Sequence, residues 1–565
     1  MGLLMKGKKL MALMLTGSLA VSMLAACGQS EGSSAGSSSD GSGSAGNETS
    51  AESEAASGAG DEASSGESDK TGEKSSAEGT EGGDYNVTWE DVAEITVLYP
   101  SMSTIPSGLG AVEDAINEIT EAEINTHVTL EMLEMGSYEQ QVNLMISSGE
   151  TIDLMITMPT GAASFTTMTS QNQLMDLTDL LDEYAPRAVA AVGDFMAGTQ
   201  VNGKTMAFTT YKSFVSGIYI NMRTDVLEDL GLVEAAQNMK SFSDYEAILE
   251  AVKNSEKWNY LAGVTADDAN GNVLPNVTSL SYAENFEDIT SIDNLGDTLA
   301  VVGVLLNQEE PEVVTTFDTD ALKFNYELVK RWYDKGYVYK DSPTTKEAGT
   351  SLIRSDAVFS NISFIEVGSE SSSDINCGMD MTSVQITTVP ITTGTCTKFT
   401  WAVPTTAKEP EAAVTFLEMM FNDTRIANLF AWGIEGVDYE VDDDGVAHYI
   451  EGNEEPAYHA VDFLNANRLI VLPWEGDAPD SREYQASLME NPQVSPYFGF
   501  SCDSTEVSSE ISAVSSVLSE YKPQLGSGVA ADGTLEAFRE KLDSVNADKI
   551  VDFYQTELDA WMEAK

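Results

Sequence analysis

One segment of the chain matches a phosphate-binding loop in full. Residues 198–205 read GTQVNGKT, the pattern in which backbone amides and a helix N-terminus hold phosphate groups between a strand and a helix. The surrounding pattern is wrong for this chemistry, because a helix-like stretch precedes the loop and a strand-like run follows it. Asn202 and Gly203 form a dipeptide typical of hairpin turns. The sequence therefore predicts a hairpin here and not a nucleotide site.

A second segment resembles a calcium-binding loop. Glu440, Asp442, Asp444, Gly445 and Glu451 follow the spacing of such a loop, with a glutamate where the first aspartate belongs. Flanking helices are not evident, and the valines on either side of the Asp-Asp-Asp-Gly run suit a tight turn between short strands. The sequence favours the turn and leaves a calcium site as the alternative.

Catalytic chemistry finds no support in the remaining titratable residues. The histidines, His127, His448 and His459, share no metal-ligand spacing, and neither HExxH nor GxSxG occurs. The chain has 92 Asp and Glu residues, so that almost any two carboxylates can be nominated as an acid/base pair and none is informative. We expect no catalytic residues, no metal ion and no cofactor.

The cysteines allow two interpretations. Cys377 and Cys396 lie 19 positions apart. If the protein is exported, these two cysteines can form a disulfide that leaves Cys502 as a free thiol. Buried free thiols are the alternative, because small unpaired cysteines are common in protein cores.

Aromatic residues in loops give the better lead. Aromatic faces stack on the apolar C–H faces of sugar rings, while neighbouring polar groups bond the hydroxyls. Each residue alone can equally be part of the core, but together they suggest a binding surface. Eight lie near Gly, Pro or Thr: Tyr211, Phe364, Trp401, Trp432, Trp474, Tyr497, Phe498 and Phe500.

The elements that position such a surface follow from the hydrophobic periodicity. The pattern after residue 93 alternates strand, helix, strand, helix, strand, at 94–99, 110–120, 127–132, 138–148 and 152–158. This order implies a parallel sheet with helices on both faces, whose ligands sit at the carboxyl ends of the strands. Those ends are 99–107 and 158–165, which makes Ser101, Ser103 and Thr160 candidate ligand contacts.

The first residues of the chain form a targeting signal. Lys6, Lys8 and Lys9 precede a mostly apolar stretch of 14 residues, 10–23, which is shorter than the ~20 apolar residues of a membrane span. The four residues that follow, Leu-Ala-Ala-Cys at 24–27, resemble a bacterial lipobox. We expect a signal peptide at 1–26, removed to leave a lipid on Cys27 that holds the protein on the outer face of a membrane.

A tether follows the anchor. Residues 28–84 contain 16 Ser and 13 Gly and no aromatic residue, too little apolar surface to order a segment. The linker 27–84 is either a spacer that lifts the folded body through a cell-wall layer or a connection with no length requirement. The formal net charge of the whole chain is −63, which makes binding to nucleic acid unfavourable.

The folded part resembles a known family. Residues 138–154, YEQQVNLMISSGETIDL, resemble a stretch of bacterial extracellular solute-binding lipoproteins of ABC importers, family 1. Residues 173–186 are similar to the helix that follows in these proteins, and 210–227 resemble their crossover into a second lobe. Residues 495–561 look like the C-terminal extension of one lipoprotein subgroup.

The resemblance implies an α/β, two-lobed, periplasmic-binding-protein-like fold, with hinge-linked lobes that close on a ligand and a helical C-terminal tail. We expect the first lobe at 85–208 with a return segment at about 346–398. The second lobe is expected at 209–345 with about 399–565. The implied function is capture of a small solute, most often a sugar or oligosaccharide, by a monomer that delivers it to the permease of an ABC importer.

The expected ligand contacts combine strand-end loops of the first lobe with loop aromatics: Ser101, Ser103, Thr160, Tyr211, Phe364, Trp432, Trp474 and Phe500. Two other functions stay open. A surface-anchored carbohydrate-active enzyme needs a positioned acid and nucleophile, and a sensory or adhesive glycan-binding module needs no importer. The sequence shows neither a catalytic motif nor the repeats typical of adhesins.

Overall fold

The computed structural model describes residues 79–565 except 103, 267–270, 297–299, 309, 318, 346 and 454. The expected signal peptide, the lipid site Cys27 and most of the linker lie outside the described residues, as does Ser103. Within the described part, no helix is long and apolar enough to cross a membrane.

A five-stranded sheet forms the first lobe, and it confirms the predicted alternation of strands and helices. Three parallel strands lie at one side of the sheet, a fourth strand runs antiparallel to them, and the fifth runs antiparallel to the fourth. In spatial order the strands are Thr126–Glu134, Ala93–Ser101, Leu154–Ile156, Thr400–Ala402 and Phe208–Thr209. The helices Leu109–Ile124 and Met135–Ser148 connect the parallel strands.

Further helices cover this sheet, and one buried carboxylate joins sheet and helix. The Asp153 side chain is fully buried and accepts hydrogen bonds from the backbone amides of Thr96, Lys408 and Glu409, at 3.0, 2.7 and 3.1 Å. It thereby fixes the start of the helix Pro410–Asn422 against the strand Ala93–Ser101. The covering helices are Phe165–Ser170, Thr178–Tyr184, Pro186–Val192, Pro410–Asn422, Thr424–Trp432 and Ser481–Leu488.

The second lobe has its own sheets and its own apolar core. Its main sheet consists, in spatial order, of Met381–Val389, Ser216–Arg223, Val358–Glu366 and Ala262–Thr265. An antiparallel sheet consists of Val313–Thr315, Val302–Leu305, Thr290–Asp293 and Leu280–Ser281. The helices are Thr224–Leu230, Val233–Gln237, Phe242–Asn254, Asp320–Asp334, Gly349–Arg354 and Ser371–Cys377.

The C-terminal tail is helical, as predicted, and packs on the second lobe. Its helices are Ser508–Gly526, Thr534–Ser544 and Ala547–Ala564. Phe538 is fully buried and its ring centroid lies 6.0 Å from that of Phe317, and Ile550 and Leu558 are buried in the same core. The tail therefore belongs to the second lobe and is not a separate domain.

The chain crosses between the lobes three times, at 210–215, 390–399 and 489–496. The second and third crossings are paired: the Ile391 amide donates to the Gln493 carbonyl, and the Ser495 amide donates to the Ile391 carbonyl, both at 2.8 Å. The Phe214 ring of the first crossing packs on Phe195 of the first lobe at 5.3 Å. The crossings thus form one connected region between the lobes.

The strand pairings place parts of the predicted return segments in the other lobe. The strand Val358–Glu366, within the predicted first-lobe return 346–398, pairs with the second-lobe strand Ser216–Arg223. The strand Thr400–Ala402, within the predicted second-lobe segment 399–565, pairs with the first-lobe strand Leu154–Ile156. The return to the first lobe therefore begins near residue 400, and the chain re-enters the second lobe only near residue 497.

Both ambiguous loops are hairpin turns. Gln200–Val201 pairs with Lys204–Thr205, so the segment 198–205 is a hairpin and not a phosphate loop. Glu440–Val441 pairs with Ala447–His448, and the Asp442 carboxylate accepts from the amides of Asp444 and Val446, both at 2.9 Å. Over the residues that the structure describes, His, Cys, Asp and Glu side chains form no group able to hold a metal ion.

No disulfide joins the three described cysteines, Cys377, Cys396 and Cys502. Cys396 is buried in the core of the first lobe, whereas Cys377 packs in a small cluster of the second lobe with Leu352 and Val358. The predicted disulfide between Cys377 and Cys396 is therefore wrong, and both cysteines are buried, as in the alternative interpretation.

Candidate functional site

A cavity opens at the carboxyl edge of the first-lobe sheet. The parallel strands Ala93–Ser101 and Thr126–Glu134 end side by side, and the cavity of about 270 Å³ forms beyond them. Its lining is mainly apolar and includes Tyr99, Ser101, Met132, Phe430, His459 and Leu464. Ser101 thus lies where the sequence predicted a ligand contact, and its role in binding stays a prediction.

Four aromatic side chains form a cluster beside this cavity: Trp432, Tyr449, His459 and Trp474. His459 connects the two features, because it lines the cavity and its ring lies 5.0 Å from Trp432 and 4.5 Å from Trp474, measured between centroids. Trp474 also contacts Tyr449 edge-on at 4.9 Å. Such a cluster can stack on an apolar ring face and exclude water from it.

The two tryptophans of the aromatic cluster differ in burial. Trp432 is the last residue of its helix, is 5% exposed and donates its indole N–H to the Leu472 carbonyl at 3.0 Å. Gly433, at φ 93°, ends the helix in a conformation that favours glycine. Trp474 follows Pro473 in a loop and is only half-buried. Trp474 therefore offers the more accessible indole face.

His459 brings an unused polar atom to the site. Its Nδ1 is buried and has no hydrogen-bond partner among the described residues. Burial lowers the pKa of His459 below its usual value, against the opposing effect of Asp462 and Asp438. The ring is therefore neutral at pH 7, and its free nitrogen can bond a ligand hydroxyl. The spacing of the histidines in sequence does not predict this position, because the contacts of His459 with Trp432 and Trp474 form only in the folded chain.

Two of the predicted aromatics are core residues. Tyr211 is 9% exposed at the first crossing, where its ring packs on Phe214 at 6.0 Å and on Phe421 at 5.7 Å. Phe500 is 1% exposed in the second lobe, edge-on to Trp561 at 5.8 Å. Their burial in contacts with distant parts of the chain leaves little surface for a ligand.

The other predicted contacts lie apart from the cavity lining. Thr160 is exposed in the loop after the strand Leu154–Ile156. Phe364 is half-buried near the end of the strand Val358–Glu366, where the ammonium group of Lys398 lies 4.5 Å from its ring centroid. The structure therefore brings Ser101, Trp432 and Trp474 to one region, and it leaves Thr160 and Phe364 outside that region.

A buried charge network continues from the aromatic cluster toward the second lobe. Asp462, three residues after His459, accepts hydrogen bonds from Arg468 at 2.8 Å and Arg482 at 2.7 Å. Arg468 also pairs with Glu366, at the end of a second-lobe strand. The segment 459–468 thus runs from the aromatic cluster, past the cavity, to an ion pair between the lobes.

The fold and part of the sequence match known proteins. Residues 114–437, more than half of the chain, match the family described as bacterial extracellular solute-binding protein, and residues 496–563 match a domain of unknown function (DUF3502). A protein of Streptococcus pneumoniae serotype 4, described as a carbohydrate ABC transporter substrate-binding protein, is 20% identical over 482 residues, which are 81% of this chain and 89% of that protein.

Solved structures share the architecture. The N-glycan transport solute-binding protein (NgtS) of Streptococcus pneumoniae superimposes with a TM-score of 0.71 at 18% identity, covering 83% of this chain and 99% of that chain. An HMO-binding, ABC-transporter-associated solute-binding protein of Bifidobacterium longum infantis gives a TM-score of 0.54 at 13% identity, covering 84% of this chain and 99% of that chain. The chain belongs to the family of bacterial extracellular solute-binding proteins.

Proposed function

We propose that this protein captures an oligosaccharide between its two lobes and delivers it to the permease of an ABC importer. The observation that carries the proposal is the aromatic cluster beside the strand-end cavity. Sugar rings have apolar C–H faces that pack on indole rings and hydroxyls that bond groups such as the free Nδ1 of His459. The similarity to a carbohydrate ABC transporter substrate-binding protein and to NgtS supports the same ligand class.

Ligand binding is expected to stabilise and compact the protein. A ligand that binds only the folded state adds RT ln(1 + [L]/Kd), which is about 2.7 kcal/mol at a hundredfold excess over Kd. A thermal-shift screen over a glycan panel should therefore give a melting temperature that rises with the concentration of a bound glycan. Small-angle scattering should then show a smaller radius of gyration, as the lobes close.

The same screen separates this proposal from the rival functions. If no glycan raises the melting temperature, the saccharide ligand is wrong. If a glycan binds and the scattering curve at saturation is unchanged, the closure is wrong. Cleavage of a bound oligosaccharide during incubation indicates the carbohydrate-active enzyme, and binding without a functional link to any permease indicates the sensory or adhesive module.

We also propose that the mature protein is held on the outer face of the cell membrane by a lipid on Cys27. The lipobox-like sequence 24–27 supports this proposal. Lipid chains supply the membrane affinity, so Cys27→Ala is expected to move the protein from the membrane fraction into the medium. Fractionation with an antibody measures this, and Cys502→Ala, which removes a thiol far along the chain, is the control. A Cys27→Ala protein that stays membrane-bound contradicts the lipid anchor.

A further inference from the structure

Two lysines lie where the chain passes between the lobes. Lys212 is on the first crossing, and Lys398 is at the end of the second, two residues before the strand Thr400–Ala402. The chain has a formal net charge of −63 and only 29 Lys and Arg residues. Two lysines at the boundary of the lobes are therefore unusual for this protein.

Each ammonium group lies over an aromatic ring, one from each lobe. Lys398 Nζ is 4.5 Å from the ring centroid of Phe364 in the second lobe, and Lys212 Nζ is 5.5 Å from that of Phe463 in the first lobe. Cation–π contacts of this kind hold a cation in place without neutralising its charge. The two rings thus fix the lysines at the junction while their charge stays available.

The carboxylates nearby do not neutralise both lysines. Glu366 lies 3.6 Å from Lys212 and is shared with Arg468, which also pairs with Asp462. No carboxylate of the described residues lies within ion-pairing distance of Lys398. Lys398 is exposed to solvent, where repulsion from Lys212 outweighs attraction to Glu366. Lys398 is thus a cation that lacks a counter-charge and is open to solvent.

The lysines connect to the candidate site through one segment. Leu464 lines the cavity, its neighbour Phe463 lies under Lys212, and Phe463 packs on Phe399, the residue after Lys398, at 5.6 Å. A ligand that extends from the aromatic cluster along the segment 459–468 therefore approaches both ammonium groups.

We propose that Lys398, supported by Lys212, binds the carboxylate of an acidic saccharide, and that the ligand of this protein contains a uronic or sialic acid residue. The inference rests on the proposed function and narrows its ligand class. A carboxylate supplies the missing counter-charge, and charge-assisted hydrogen bonds are about twice as strong as neutral ones. The ammonium group of Lys398 gains an ion pair only from an acidic ligand, so it favours acidic over neutral glycans.

The test is calorimetry of the mature protein with matched pairs of saccharides. The pairs are sialyllactose with lactose, and a glucuronate-containing oligosaccharide with its carboxyl-reduced form. We expect the acidic member of at least one pair to bind roughly tenfold or more tightly. Lys398→Met should remove this preference and leave the affinity for the neutral member within about twofold, whereas Lys398→Arg should retain it.

Lys323→Met is the matched control, because Lys323 lies on the exposed face of the helix Asp320–Asp334, where its partner is Glu327 one turn away. It should change neither affinity. Equal binding of acidic and neutral members, unaffected by Lys398→Met, overturns this inference and leaves the proposed function intact. Binding of no saccharide at all, acidic or neutral, overturns the proposed function and this inference with it.

Discussion

Replacing Trp474 by alanine is expected to weaken saccharide binding roughly tenfold to a hundredfold while the lobes still fold. The indole of Trp474 contacts His459 and Tyr449 edge-on and is only half-buried, so its truncation removes an accessible stacking face from the aromatic cluster. Truncation of an aromatic contact in a desolvated site costs 2 kcal/mol or more, and each ~1.4 kcal/mol is a factor of ten in Kd. Calorimetry with a glycan identified by thermal shift measures the loss.

Three variants control this experiment. Trp474→Phe keeps a ring and should recover most of the affinity. Trp561→Ala removes a tryptophan from the C-terminal tail, where it packs on Phe500, and should leave Kd unchanged. Trp432→Ala also removes a stacking ring but breaks the bond to the Leu472 carbonyl, so it should lower stability as well as affinity. Native affinity in both Trp474→Ala and Trp432→Ala contradicts the aromatic cluster as the binding site.

The sequence predicted the first strands and helices of the first lobe well, because their signals are local. Apolar alternation and helix periodicity over 94–158 indicate which side of each element is buried. The parallel direction of the strands follows from the strand–helix–strand order. The carboxyl edge of that sheet, with Ser101, follows from the same order. The hairpin at 200–205 was equally predictable, because Asn202 and Gly203 both adopt the positive φ that a tight turn requires.

The remaining differences between prediction and structure come from contacts that no local pattern encodes. Tyr211 is flanked by polar residues, yet its ring packs on Phe421, some 200 positions later. The strands Val358–Glu366 and Thr400–Ala402 were each predicted in the wrong lobe. Such strands look alike in sequence, and only their pairing decides to which sheet each belongs. For the same reason, the convergence of Tyr449 and His459 on Trp474 required the folded chain.

Replacing Asp462 by asparagine is expected to lower the free energy of unfolding by about 3–5 kcal/mol, because it leaves the buried guanidinium group of Arg482 without its counter-charge and leaves Arg468 with Glu366 alone. Arg482 is 4% exposed and bonds Asp462 Oδ2 at 2.7 Å, and Arg468 bonds the same oxygen. Urea denaturation followed by fluorescence measures the change through its midpoint. Asp334→Asn, which disrupts an exposed ion pair with Lys330, is the control and should cost less than about 1 kcal/mol.

The pH dependence of the unfolding free energy distinguishes loss of the Asp462 charge from disturbed packing at the same position. Burial alone raises the pKa of Asp462, but Arg468 and Arg482 outweigh burial and hold it well below its usual value. A depressed carboxylate pKa contributes stability above the unfolded-state value of about 3.9, and this contribution is lost as the pH falls further. The difference in unfolding free energy between the native protein and Asp462→Asn should therefore be constant from pH 7 to about 5 and narrow below about pH 4. A difference that persists unchanged in acid means that the asparagine disturbs packing, and that the carboxylate charge does not hold the two arginines.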